Sequence, residues 1–144
     1  MEVTIINGAN LNLVGRRNPE MYGSESMEQI ILRLQRTYPT IRLRYLQSNH
    51  EGDLIDWVQE LALQDDKPAL ILNAGGYTHT SVSLRDAVEF AREQGVRIIE
   101  VHLSNIYTRE KFRQVSLLSD VCEKTIIGND CYEKAMAHIL TATL

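Results

Sequence analysis

With 144 residues the chain is long enough to bury about two thirds of the surface its unfolded form exposes, and a single domain over residues 1–144 is expected. Its 44% hydrophobic and 24% charged content are ordinary for a globular domain, with 15 Lys plus Arg scattered among 19 acids for a net charge of −4. No basic block or basic helix face points to nucleic acid or an anionic membrane, and no apolar stretch approaches membrane-spanning length.

The N terminus, "MEVTII", reads at once as a strand over Val3–Ile6 and lacks a charged-then-apolar leader pattern. The connection after it is long for an α/β turn. It runs through "GRRNPEMYG", with glycines at 15 and 23, and carries Arg17 and Tyr22 on a segment that Pro19 should keep from forming a regular helix. Ser26 and Gln29 then spell a capping box ahead of Met27, Ile30, Ile31 and Leu34, which fall at helical spacing. A second strand, Ile41–Leu46, alternates apolar residues with Arg42 and Arg44 and so belongs at a half-exposed sheet edge. Leu54, Val58, Leu61 and Ala62 form a second helical stripe, followed by an apolar strand at Ala69–Leu72. Leu84, Ala87, Val88 and Ala91 form a third stripe, closed by Gly95 at a C′ position. Strands at Val96–Val101 and Thr125–Ile127 follow, with a short helical piece near Arg109–Val115 between them. Tyr132, Ala135, Met136 and Ile139 repeat the helical template at the end.

This alternation predicts a three-layer α/β sandwich, a five-stranded parallel sheet in the flavodoxin-like order 2-1-3-4-5 with helices on both faces. In such sheets ligands bind outside the carboxyl ends of the strands. The residues there are polar: Asn7, Gly8 and Asn10 after the first strand, Ser48, Asn49 and His50 after the second, Asn73 and His79 after the third, and Glu100, His102, Ser104 and Asn105 around the fourth. The opposite ends, "QDDKP" and "REQG", read as ordinary turns. A small-molecule crevice on the first rim is the expectation.

Each motif there has a plain reading beside a chemical one. "NAGG" permits close backbone approach to a phosphate, yet GxGxxG and GxxxxGK[ST] are both missing. A strained turn in which Asn73 satisfies loose backbone groups is the favoured reading. His79 is equally suited to capping or packing. Glu100 and His102 share one face of a strand, so the carboxylate can hold the imidazole tautomer as a general acid requires, although a structural histidine is the commoner case. His79 and His102 match no zinc spacing and lack a third soft ligand. There is no GxSxG elbow, and Lys67, Lys111, Lys124 and Lys134 lie in turns or polar segments, so covalent catalysis lacks a candidate. A tyrosine used as a base near neutrality needs about 4 kcal/mol of selective stabilisation of its phenolate, which a cation at about 4 Å can supply. Arg17 is suited to that task beside Tyr22, but spacing alone favours an exposed tyrosine stacked on an arginine. Cys122 and Cys131 are too few and too far apart for a disulfide framework or metal site, so a reduced cytoplasm with structural thiols is expected.

Taken together, "NGANLNLVGRRNPEMYG", "QSNHEGDLIDW", "ILNAGGYTHTSVSLRDA", "IEVHLSN" and "REKFRQVSLLS" closely resemble the type II 3-dehydroquinate dehydratases, the type II dehydroquinases, in order and as far as Ser119. The resemblance implies a flavodoxin-like fold, a homo-dodecamer built as a tetramer of trimers, and reversible loss of water from 3-dehydroquinate to give 3-dehydroshikimate without a metal or organic cofactor. That reaction serves aromatic biosynthesis and quinate breakdown alike.

By position, the resemblance makes Tyr22 the base that removes a C2 proton and Arg17 the group that stabilises its charge. Asn10 would orient a water at the enolate oxygen, and His102, held by Glu100, would protonate the departing C1 hydroxyl. Asn73, His79, Ser104 with the Leu103 amide, and Arg113 match the substrate-binding set. Asp86 matches a residue that reaches the site from a neighbouring subunit. The 15–23 loop then reads as a lid hinged at its glycines. Ala9 stands where the family usually has proline and Asn18 where it usually has glutamate, while "IIGNDCYEKAMAHIL" replaces a longer glycine-rich turn before the last helix. The rival at the same rim is a non-catalytic flavodoxin-like module that binds a nucleotide or flavin, supported by the fold and "NAGG".

Overall fold

In a computed structural model that describes residues 1–141, five strands lie parallel in one sheet. They are β1 (Glu2–Asn7), β2 (Arg42–Gln47), β3 (Ala69–Asn73), β4 (Ile98–His102) and β5 (Lys124–Ile127), in the order β2-β1-β3-β4-β5. Strands that run in one direction need crossovers long enough to return, and helices supply them. These are α2 (Met27–Thr37), α3 (Glu51–Leu63), α4 (Val82–Glu93) and α5 (Cys131–Thr141), with one further turn of helix, α1 (Pro19–Tyr22), in the loop after β1.

Alternation along the strands divides the interior into two cores. Val3, Ile5, Ile71, Ile99 and Val101 pack against α2 and α5, whereas Ile6, Leu70, Leu72 and Ile98 pack against α3 and α4. The helical stripes expected from the sequence are the buried faces: Met27, Ile30, Ile31 and Leu34 on α2, and Leu84, Ala87, Val88 and Ala91 on α4. Edge strand β2 carries no fully buried residue, as its alternating arginines foretell. Burial raises the pKa of both cysteine thiols, Cys122 and Cys131, as suits structural residues.

The helix ends follow the local sequence. Ser26 Oγ accepts from the Gln29 amide at 3.2 Å while Gln29 Oε1 accepts from the Ser26 amide at 2.9 Å, the full capping box. Ser81, rather than His79, caps α4, its hydroxyl accepting from the Leu84 amide at 2.9 Å. At the other end of α4, Gly95 donates to Arg92 and Val96 to Ala91, both at 3.0 Å. That Schellman pair occupies Val96, so β4 starts at Ile98 rather than at Val96. The helical piece expected near Arg109–Val115 is a single 3₁₀ turn, Lys111–Arg113. Pro19 does not exclude helix from the long loop. It stands at the first helical position of α1, where its missing N–H costs nothing.

At the amino ends of β4 and β5 an ion cluster ties strand to helix. Arg97 Nη2 donates to Glu123 at 2.8 Å, His138 Nε2 lies 2.7 Å from the same carboxylate, and Arg97 Nη1 donates to the Ile139 carbonyl at 2.9 Å. The Arg97 hydrogen bond, helped by His138, lowers the Glu123 pKa from 4.5 to about 2. A carboxylate depressed in the folded state stabilises the fold above its unfolded pKa and loses that contribution as pH falls through the folded one. Glu123→Gln should therefore lower Tm by about 2–4 °C at neutral pH. The gap to wild type should close between pH 4.5 and pH 2, a course that thermal unfolding across that range checks.

Candidate active site

The loops after β1, β3 and β4 meet at the carboxyl rim because their backbones come unusually close. The Gly8 amide donates to the Asn73 carbonyl at 2.7 Å, and a Cβ at Gly8 would stand 2.3 Å from the Ala74 carbonyl oxygen. Only glycine allows that approach. Asn10 adopts a left-handed backbone (φ 71°), with its amide held by Asn49 Oδ1 at 3.0 Å. After β3, Asn73 Oδ1 accepts from the Gly75 amide at 3.2 Å and a 3₁₀ turn, Gly75–His79, follows. The "NAGG" segment is thus a turn whose asparagine satisfies a backbone amide, with Gly75 left-handed at φ 63°.

These loops enclose a cavity of about 180 Å³. Asn10, Arg17, Tyr22, Asn73, His79, His102, Leu103, Ser104 and Arg113 all line it. A larger, open depression of about 920 Å³ at the opposite rim is lined by Arg42, Asp65, Asp66 and Lys67 among others, and includes none of those residues. Among the described residues no lysine lines the 180 Å³ cavity. Asp86 lies elsewhere, in a groove between α3 and α4 beside Ile55 and Phe90, so within one chain it does not reach the cavity.

Behind the cavity wall sits Glu100, with no exposed surface. His102 Nε2 lies 2.8 Å from Glu100 Oε2. Three hydroxyls complete the shell of the carboxylate: Thr78 at 3.1 Å and Ser116 at 2.6 Å to Oε2, and Thr125 at 2.7 Å to Oε1. Burial alone would raise the Glu100 pKa, but the hydrogen bonds from His102, Ser116 and Thr125 hold it below the usual carboxylate value. Glu100 is therefore an anion, and it fixes His102 with Nε2 as the proton-bearing nitrogen. The three hydroxyls escape sequence reasoning because they come from three separate segments. Thr125 had a signal, being the register partner of Glu100 on β5 once the strand order is known.

Within the cavity lining, α1 contributes Tyr22. The Arg17 guanidinium lies 5.0 Å from the ring centroid and Arg109 lies 5.5 Å from it. Arg109 also donates to Ser104 Oγ at 3.2 Å, and nothing in its spacing sets it apart from other surface arginines. The loop that carries Tyr22 is bounded by Gly15 and Gly23, both left-handed at φ 91° and 87°. Asn18 begins α1 with φ 34°, a conformation asparagine tolerates better than most residues. His79 Nδ1 is 2.8 Å from the Val115 carbonyl, and burial, with the charges of His102 and Arg113 adding to it, lowers its pKa so that the ring stays neutral near pH 7. Arg113 donates to Glu110 at 2.7 Å at the cavity mouth.

A family model described as dehydroquinase class II matches residues 1–140. The chain belongs to the class II dehydroquinase family. Among the relatives of this dehydroquinase-family chain, a 3-dehydroquinate dehydratase of an Exiguobacterium species is 45% identical over an alignment of 131 residues that covers 89% of this chain and 85% of that one. The solved type II dehydroquinase of Butyrivibrio crossotus aligns with a TM-score of 0.87 at 35% identity, covering 97% of this chain and 96% of that one. That of Propionibacterium acnes gives 0.88 at 29% identity with the same coverage. A match over 97% of the chain leaves out fewer residues than the 11 of α5 and so extends into that helix.

Proposed function

We propose that this protein catalyses the reversible dehydration of 3-dehydroquinate to 3-dehydroshikimate. The observation that carries this reading is one small cavity lined both by a tyrosine flanked by two guanidinium groups and by an imidazole fixed by a buried carboxylate. The family membership and the 3-dehydroquinate dehydratases among its relatives support it.

The chemistry needs a base at C2 and an acid at the C1 hydroxyl. Tyr22, as the phenolate, removes the C2 proton, and the C–H electron pair moves into an enolate. Arg17 and Arg109 place positive charge against the ring where negative charge must be carried. Asn10 orients a water that hydrogen-bonds the enolate oxygen. In the second half His102 delivers a proton to the C1 oxygen, the C1–O bond breaks, water leaves, and the enolate collapses to the conjugated enone, in an anti elimination. Glu100 stabilises the imidazolium form of His102 before that transfer and returns it to the same orientation afterwards. No step calls on a metal, an organic cofactor or a covalent bond to the protein.

Asn73, the Leu103 amide and Ser104, His79 and Arg113 hold the substrate carboxylate and ring hydroxyls. Arg113 exchanges its contact with exposed Glu110 for the substrate in doing so. The 15–23 loop acts as a lid that brings Tyr22 and Arg17 to the substrate together. A cavity of about 180 Å³ suits a six-membered carbocycle. It falls below the ~300 Å³ at which pockets for drug-sized ligands begin, which disfavours a flavin- or nucleotide-binding module. The reading extends to a cytoplasmic homo-dodecamer, four trimers in which Asp86 of one subunit approaches the cavity of the next. Light scattering should then give a mass twelve times that of the chain; any smaller assembly would remove this part of the reading.

Replacing the base isolates its role. Tyr22→Phe should fold and bind substrate like wild type while kcat falls by about 10³-fold, within the range general-base catalysis supplies. The appearance of enone absorbance from 3-dehydroquinate in the presence of EDTA reads this out. Wild-type turnover by Tyr22→Phe would take the base role away from Tyr22.

A further inference from the structure

Tyr132 opens α5 and has no exposed surface, yet its hydroxyl lies between two amides at the carboxyl rim. It accepts from Asn73 Nδ2 at 3.0 Å and donates to Asn7 Oδ1 at 2.8 Å. Asn7 and Asn73 are register partners at the ends of β1 and β3, and Asn7 Nδ2 continues the chain to the Tyr45 hydroxyl at 3.4 Å.

The directions of these bonds are fixed by counting protons. A phenol has a single proton, and Tyr132 spends it on Asn7, so Asn73 meets that hydroxyl only as an acceptor and must turn Nδ2 toward it. At the other end of the same amide, the Gly75 N–H requires Oδ1. A flipped Asn73 would set its NH₂ against the Gly75 donor and its carbonyl against an oxygen whose proton is already engaged. Asn73 lines the cavity, and its bonds to Tyr132 and Gly75 leave one amide hydrogen and one lone pair without a partner among the described residues.

We infer that Tyr132 is a positioning residue for the dehydration, its hydroxyl locking the Asn73 amide in the orientation that meets the substrate. This rests on the dehydratase reading of the same cavity. Tyr132 does not itself line the cavity and comes from the last helix, α5. The last helix is thereby coupled to the site through one oxygen atom.

Steady-state kinetics of Tyr132→Phe test it, at a temperature where thermal unfolding shows the variant to be folded. An amide freed to turn weakens substrate and transition state alike, so KM should rise about five- to tenfold with kcat within about twofold of wild type. In an Asn73→Ala background the same change should leave KM unmoved, because the group it acts through is gone. A lowered Tm with an unchanged KM would mean a purely structural hydroxyl and would overturn the inference, as would a KM effect that persists without Asn73. Should Tyr132→Phe fail to fold, Asn7→Ala frees the phenol proton while keeping the tyrosine, and an unchanged KM there overturns the inference equally. A wild-type protein that forms no enone would defeat the dehydratase reading and this one with it, whereas an active wild type with an indifferent Tyr132→Phe defeats this one alone.

Discussion

An ionised carboxylate with no exposed surface sits under the carboxyl rim of the sheet, and the site is arranged around satisfying it. Burying such a charge costs several kcal/mol even after relaxation. Glu100 receives four hydrogen bonds, and a bond to a charged group contributes about 1.5–3 kcal/mol. Their sum exceeds the cost, in keeping with a pKa that lies below the ordinary carboxylate value despite burial. The four donors come from the turn after β3, from β4 itself, from the 116 segment and from β5. One anion therefore sets the relative positions of the segments that also carry His79, His102 and Arg113.

That constraint orders the two halves of the proposed chemistry differently. The acid half is rigid: His102 is 4% exposed and held by a strand residue two positions away. The base half is carried by a half-exposed loop with left-handed glycines at both ends, and Tyr22 is held there by stacked guanidinium groups rather than by packing alone. A buried acid beside a base on a partly exposed loop suits an enzyme that must admit a polar substrate and then exclude water around it. Asn18 fits this loop because it occupies a left-handed position, which asparagine tolerates better than most residues.

Whereas the sheet order followed from the alternation of strands and helices along the whole chain, the stripes on α2 and α4, the capping box at Ser26 and the half-exposed edge strand were legible in the sequence because each depends on spacing within one segment. So was the pairing of Glu100 with His102, which needs only the two-residue repeat of a strand. The shell around Glu100 was not, since Thr78, Ser116 and Thr125 converge only after the chain folds. Arg109 was hidden for a related reason: an arginine four residues from another in a polar loop has no local mark that it will stack on Tyr22. Tyr132 read simply as part of an apolar stripe, and only its hydroxyl, invisible to periodicity, reaches Asn7 and Asn73.

The central claim is that the Glu100 carboxylate, by stabilising the imidazolium of His102, supports the protonation and departure of the hydroxyl. The kcat of Glu100→Gln, which keeps the shape of the side chain and removes its charge, tests this most directly. The account predicts a folded protein whose rate of enone formation falls at least ~10²-fold, the scale of a lost general acid. A folded Glu100→Gln variant that turns over at the wild-type rate would contradict it.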